Sequence, residues 1–172
     1  MDLFAGLTLL RKTGNEIDEV SADEALKDVP VVGLYFSAHW CPPCRLFTPT
    51  LAEFYASIKA KEQNFEMIFI TSDRSDEAMK SYMLECHGDW LAVPYKLEEF
   101  REKLDEKFEI DGIPTLIILK DGEMVTNTGR WDVELKPDAC YDHWAKGEVA
   151  VTETEVDKFL EREDDDDDEG FT

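Results

Sequence analysis

Two cysteines, Cys41 and Cys44, lie in the stretch "HWCPPCRLFTP", with Pro42 and Pro43 between them and Trp40 in front. Thiols at this spacing can do three different things. As a dithiol they can exchange with a disulfide. As thiolates they can supply half of a tetrahedral zinc site, with Cys140 and His143 of "CYDH", or Cys86 and His87, as the other half. They can also be spectators in a stiff turn. The prolines bear on the choice, because a chain that needs only a turn seldom places two residues lacking N–H groups there.

The elements around the pair narrow the choice. "VVGLYFSA" (31–38) is a near-continuous apolar run, the pattern of a strand buried on both faces. From 42 to about 61, Phe47, Leu51, Phe54, Tyr55 and Ile58 recur on one helical face, with Pro49 inside the helix as a kink. The pair therefore joins a buried strand to a helix, whereas structural zinc pairs sit on loops or knuckles. At the helix start, unpaired N–H groups and the positive dipole end favour a thiolate at Cys41. Cys44, in the first turn, is placed to attack a mixed disulfide formed on Cys41. Pro42 and Pro43 fit the first turn, where missing donors matter least and a fixed φ is pre-organised. Each also removes a donor that could have stabilised the thiolate.

The remaining elements complete an α/β pattern. "LTLLRK" and "EIDEV" flank "TGNE" as a starting hairpin, and Ser21 with Glu24 marks a short capped helix over 21–28. "FEMIFITS" (65–72) reads as a second buried strand. Ser75 caps a helix carrying Met79, Met83 and Cys86 on one face, which makes Cys86 a core thiol. "WLAVPY" (90–95) is a short apolar segment in which Trp90 packs. Leu97, Phe100, Leu104 and Phe108 mark another helix. "IPTLIILKDGEMVT" (113–126) reads as a hairpin turning at Asp121-Gly122. A last helix from Thr152 to about Arg162 is expected to bury Val156, Phe159 and Leu160, with Trp131 and Trp144 anchoring the C-terminal region. Cys140, in a polar stretch, is expected to be exposed. Strand–helix–strand followed by a helix, a hairpin and a helix implies a central mixed sheet flanked by helices.

Composition limits the partners. The net charge is -22, of which "EREDDDDDE" (161–169) carries eight acids and one arginine, or -7, leaving -15 on the rest. Phosphate backbones and anionic lipid surfaces call for basic patches. Nucleic acid and membrane are therefore disfavoured, and basic proteins are favoured through the acidic tail. Residues 1–162 form one expected domain, and 163–172 an acidic disordered tail. The four cysteines are too few for a disulfide scaffold. The N-terminus has the wrong charge order for a secretory signal, and "EGFT" is no retention signal. The expected setting is the cytoplasm, as a monomer. Nuclear entry is left open, with no basic import cluster in view.

The motifs together resemble a known family. "WCPPC", Pro49 and "IPT" (113–115) look like the thioredoxin superfamily. "YFSAHWCPPCR", "IFITSDRSDE", "WLAVPY" and "GIPTLIILKDGE", running in family order from about 33 to 130, resemble its tryparedoxin/nucleoredoxin branch. The resemblance implies a thioredoxin-like fold and a dithiol–disulfide oxidoreductase that reduces protein disulfides. It makes Cys41 the nucleophile and Cys44 the resolving thiol. Trp40, Pro42, Pro43 and a cis Pro114 become supports of the site. The Ile113 backbone becomes free to pair with an extended substrate. No cofactor is implied beyond the cysteine pair, but an upstream thiol reductant or reductase is. The rival implied by nucleoredoxins is a redox-sensitive binding module, with partners such as Wnt-pathway proteins. One departure from thioredoxins stands out. The buried aspartate that they carry six residues before the nucleophile is Tyr35 here. Asp73, after the second strand, is the candidate replacement as proton carrier. His39 is either a neighbour that tunes the thiolate or a surface residue.

Overall fold

The computed structural model describes residues 2–170, with side chains as far as Glu161. The acidic tail at 163–172, with its expected disorder, lies outside the fully described residues. Seven strands form one mixed sheet in the order β2-β1-β5-β4-β3-β6-β7. They are β1 (Thr8–Thr13), β2 (Glu16–Ser21), β3 (Val31–Ser37), β4 (Phe65–Thr71), β5 (Leu91–Ala92), β6 (Thr115–Lys120) and β7 (Glu123–Thr126). The helices are α1 (Ala22–Ala25), α2 (Pro42–Ala60), α3 (Asp76–Cys86), α4 (Glu98–Lys107), α5 (Gly129–Leu135), α6 (Cys140–Ala145) and α7 (Glu153–Gly170).

β3 lies at the centre, parallel to β4 and antiparallel to β6. Every residue of β3 and β4 is buried, as their unbroken apolar runs require. Side chains alternate between the two faces of a strand. Val31, Tyr35, Phe65, Met67 and Phe69 therefore pack with residues of α2, α3 and α6. Val32, Leu34, Phe36, Ile68 and Ile70 face the opposite core with Leu104 of α4 and Leu26, just past α1. By the same alternation Ser37 follows Tyr35 on the α2/α3 side.

The two-residue strand β5 joins the N-terminal hairpin to the rest of the sheet. It pairs antiparallel with β1 and parallel with β4. At the hairpin between β6 and β7, Asp121 and Gly122 both have positive φ, 50° and 86°, as a tight type I′ connection demands. Ser21 Oγ accepts from the Glu24 amide at 3.4 Å, and Ser75 Oγ from that of Ala78 at 3.0 Å, so both caps form as read.

Several expectations are corrected. Cys140 is fully buried rather than exposed, because α6 turns it inward with Trp144 against the core. Cys86 is half-buried, packed on the rim of that core at the last position of α3. On α7 Val156 is buried, Phe159 packs against Trp131 in a tilted arrangement with ring centroids 5.5 Å apart, and Leu160 is exposed. The helices α5 and α6 have no counterpart in the sequence reading. At Gly129, which opens α5, a Cβ would come within 2.9 Å of the Leu116 carbonyl oxygen, so only glycine lets the helix sit this close to β6.

Candidate functional site

The site forms where β3 and β4 end and three loops converge, a natural place for a cleft in an α/β sheet. Cys41 is the N-cap of α2, with Pro42 and Pro43 as the first two helical residues. This is the arrangement that the two prolines predict. The Cys41 amide donates to Ala38 O at 3.3 Å, and its carbonyl accepts from the Arg45 amide at 3.1 Å. Its Sγ lies 3.8 Å from the carbonyl oxygen of Ile113, and the Ile113–Pro114 peptide is cis. Cys41, Cys44 and Ala38 form a small apolar cluster with Ile113 packed against it.

The two thiols differ in setting. Cys41 retains 4% exposure, whereas Cys44 is wholly buried. Burial pushes the Cys44 thiol up to about 12, and its hydrogen bond to the Cys41 sulfur adds to the rise. Ser37 and the Ala38 backbone act in the opposite direction by bonding to that sulfur. A first sulfur that keeps a trace of solvent exposure and a protonated, wholly covered second one give the asymmetry that a two-step exchange needs. Both thiols are free.

Asp73 holds the surrounding loops. One carboxylate oxygen accepts from the His39 amide at 2.8 Å and the other from the Thr71 hydroxyl at 2.8 Å. The Ser72 amide donates to Ser37 O at 2.9 Å, drawing the loop after β4 onto the end of β3. Trp40 is half-exposed, its indole N–H donating to Ser72 O at 3.1 Å, and the Arg74 guanidinium sits 5.5 Å above its ring. The His39 ring turns towards α3, stacking on Tyr82 and pairing through Nε2 with Glu85 at 2.7 Å. Leu46, 80% exposed on α2, lies two residues beyond Cys44.

Beneath Cys44 lies a set of hydroxyls that the sequence reading missed. Tyr35, Thr48, Tyr82 and Ser37 are all fully buried. Thr48 Oγ1 contacts Tyr35 Oη at 2.6 Å and Tyr82 Oη at 2.5 Å, and Ser37 Oγ contacts Tyr82 Oη at 2.6 Å. The strand period offered a signal, since it puts Tyr35 and Ser37 on the face that α2 covers. Burial raises the Tyr35 hydroxyl to about 12, so this set is uncharged at neutral pH. Among the described residues, no group of three or more His, Cys, Asp or Glu side chains is arranged to hold a metal ion, and no helix is long and apolar enough to cross a membrane.

Comparison with known proteins agrees with this geometry. Residues 30–125 match the model of the family described as thioredoxin-like. Human nucleoredoxin is 47% identical over 133 residues, covering 77% of this chain and 29% of that protein. Thioredoxin from Wuchereria bancrofti superposes with a TM-score of 0.69 at 41% identity, covering 83% of this chain and 96% of its own. Tryparedoxin from Trypanosoma brucei gives 0.70 at 34% identity, with 83% and 95% covered. The chain belongs to the thioredoxin-like family. Within the family it is of the nucleoredoxin/tryparedoxin kind, although it spans less than a third of the length of the nucleoredoxins that it matches.

Proposed function

We propose that this protein reduces protein disulfides by dithiol–disulfide exchange. The observation that carries the reading is the asymmetry of the pair, with Cys41 at the helix N-cap and rim of the site and Cys44 one turn inside, buried and protonated. Cys41 attacks one sulfur of the substrate disulfide, releasing one substrate thiolate and forming a mixed disulfide. Cys44 then attacks Cys41 Sγ, releasing the second substrate sulfur and closing the Cys41–Cys44 disulfide. An upstream thiol reductant or reductase resets the pair, which is itself the redox group.

Ile113 is the proposed docking edge for an extended substrate segment, supported by its place against Cys41. Trp40, Pro42, Pro43 and Pro114 are the proposed supports of the sulfurs, in keeping with the two prolines opening α2 and the cis Ile113–Pro114 peptide beside Cys41. Asp73 is one proposed carrier of the Cys44 proton, supported by its burial in the loop that meets the active-site backbone at His39. The cytoplasm and basic protein partners fit the charge of -22. The test is reduction of insulin, followed by precipitation of its freed chain. Cys41→Ser is expected to abolish the reaction, and a Cys41→Ser variant as active as the parent would refute the proposal.

A second reading, redox-dependent binding of a partner, draws support from the exposed Trp40 and Leu46 beside the pair. Equal partner binding by a Cys41→Ser/Cys44→Ser variant favours the binding module, and loss of binding favours the enzyme.

A further inference from the structure

The two edges of the sheet are finished differently. β2, at one edge, carries Glu16, Asp18 and Glu19, and charge on an outer strand discourages pairing with another chain. β7, at the other edge, reads Glu123-Met124-Val125-Thr126, with one charged residue and no lysine or proline. Its register with β6 fixes which backbone groups are spent. Lys120 and Glu123 pair across the two-residue turn, and bonding alternates along an antiparallel strand, so the N–H and C=O of Met124 face outward. Among the described residues no backbone group outside the sheet bonds to Met124. Its side chain is 55% exposed. The register shift that leaves Val125 without a partner is a bulge, which suits the edge to a short segment and not to a long flat sheet.

A groove opens on each side of this strand, and Met124 lines both. One, of about 490 Å³, lies against the end of α4, where Glu109 and Asp111 outnumber Lys107. The other, of about 440 Å³, has the buried Val151 and Val156 as its floor, with the exposed Val149 beside them and Glu153 and Asp157 of α7 on its rim. None of these four carboxylates has an ion-pair partner among the described residues. A strand added at Met124 sends successive side chains to opposite faces, so one set enters the apolar groove and the other the acidic one. Neither cysteine of the CxxC pair lines either groove.

Charge selects the occupant. A second copy of the chain, at -22, and the acidic sequence at 163–172 both set like charge against these carboxylates. We propose that the β7 edge and its two grooves bind an extended segment of a basic protein, in which apolar and basic side chains alternate. The segment's backbone pairs with Met124, its apolar side chains enter the groove over Val151 and Val156, and its lysines or arginines meet Glu109 and Asp111. This surface goes beyond the reductase reading, since a segment without cysteine binds to it.

The test uses the reduced full chain and a fluorescein-labelled heptapeptide of alternating valine and lysine, read by fluorescence anisotropy and by amide NMR shifts. Saturable binding with shifts centred on residues 123–127 is expected, weakening as sodium chloride rises. A valine–glutamate heptapeptide should not bind. Met124→Pro removes the outward N–H and spares the ladder to β6, so it should weaken binding about 2- to 10-fold, the size of one backbone hydrogen bond. Glu109→Gln/Asp111→Asn should weaken it about 2- to 10-fold, the size of two exposed charge pairs, and serves where Met124→Pro does not fold. No binding, shifts centred elsewhere, equal binding of the two peptides, or an affinity untouched in both variants overturns the proposal. A dimer in sedimentation equilibrium that Val149→Glu dissociates, or nuclear Overhauser contacts between Val149 and residues 163–172, would name another occupant and overturn it too. Because the peptide has no cysteine, its binding does not depend on the outcome of insulin reduction.

Discussion

Cys41 and Cys44 have the same chemistry and are separated by one helical turn, yet their surroundings assign them different tasks. A thiol pushed up to about 12 is protonated throughout the physiological range, so Cys44 is a poor free nucleophile until the reaction brings an electrophilic sulfur to it. One equivalent of iodoacetamide at pH 7 is accordingly expected to label Cys41 and spare Cys44, as peptide mapping would show; equal labelling would contradict this. Asp73 offers a second prediction. Replacement by alanine leaves the His39 amide and the Thr71 hydroxyl without their acceptor, and the thermal midpoint should fall by the equivalent of about 1–3 kcal/mol. At this scale the sequence displays the CxxC because spacing and flanking residues suffice to mark it. Ser37 is hard to see for the opposite reason. A lone polar residue at the end of an apolar run looks like the place where a strand stops, and only the packing of Tyr82 over it gives its hydroxyl a partner.

The long elements could be read because their patterns are strong. β3 and β4 are unbroken apolar runs, α2 has a clear buried face, and Asp121-Gly122 fixes a hairpin. The short elements are set by tertiary contact. β5 is two residues long and exists as a strand because β1 and β4 lie on either side of it. α5 and α6, seven and six residues long, are too short to be stable on propensity and form by docking against β6. Cys140 was misplaced for the same reason, since its polar neighbours in sequence face solvent while it faces the core. Gly129→Ala tests this docking. The added methyl meets the backbone of Leu116, which cannot swing aside, and a loss of about 1–3 kcal/mol is expected in denaturant unfolding. An unchanged midpoint would mean that α5 does not need this close approach.

Over the whole molecule the charge of -22 sets the background for any pH response, and one buried carboxylate adds a specific one. Asp132 is fully buried beneath α6, where Trp144 Nε1 donates to it at 2.7 Å. Burial raises its carboxyl from 3.8 to about 6. A raised folded value means that its protonated form favours the fold at low pH, and this contribution is lost as the pH rises from about 4 through 6. Asp132→Asn keeps an acceptor for Trp144 and cannot ionise. Its thermal midpoint relative to the parent should therefore climb between pH 4 and 7.5, and a difference that stays flat would contradict the raised value. Comparing the variant with the parent at each pH cancels the repulsion among the other acids, which both chains share.

The central claim is the division of labour between the two sulfurs, and intact mass spectrometry reads it directly. Cys44→Ser, mixed with a protein disulfide, should accumulate a covalent adduct that maps to Cys41 and is released by dithiothreitol. Cys41→Ser, treated in the same way, should remain at its own mass. An adduct on Cys41→Ser, or none on Cys44→Ser, would contradict the account.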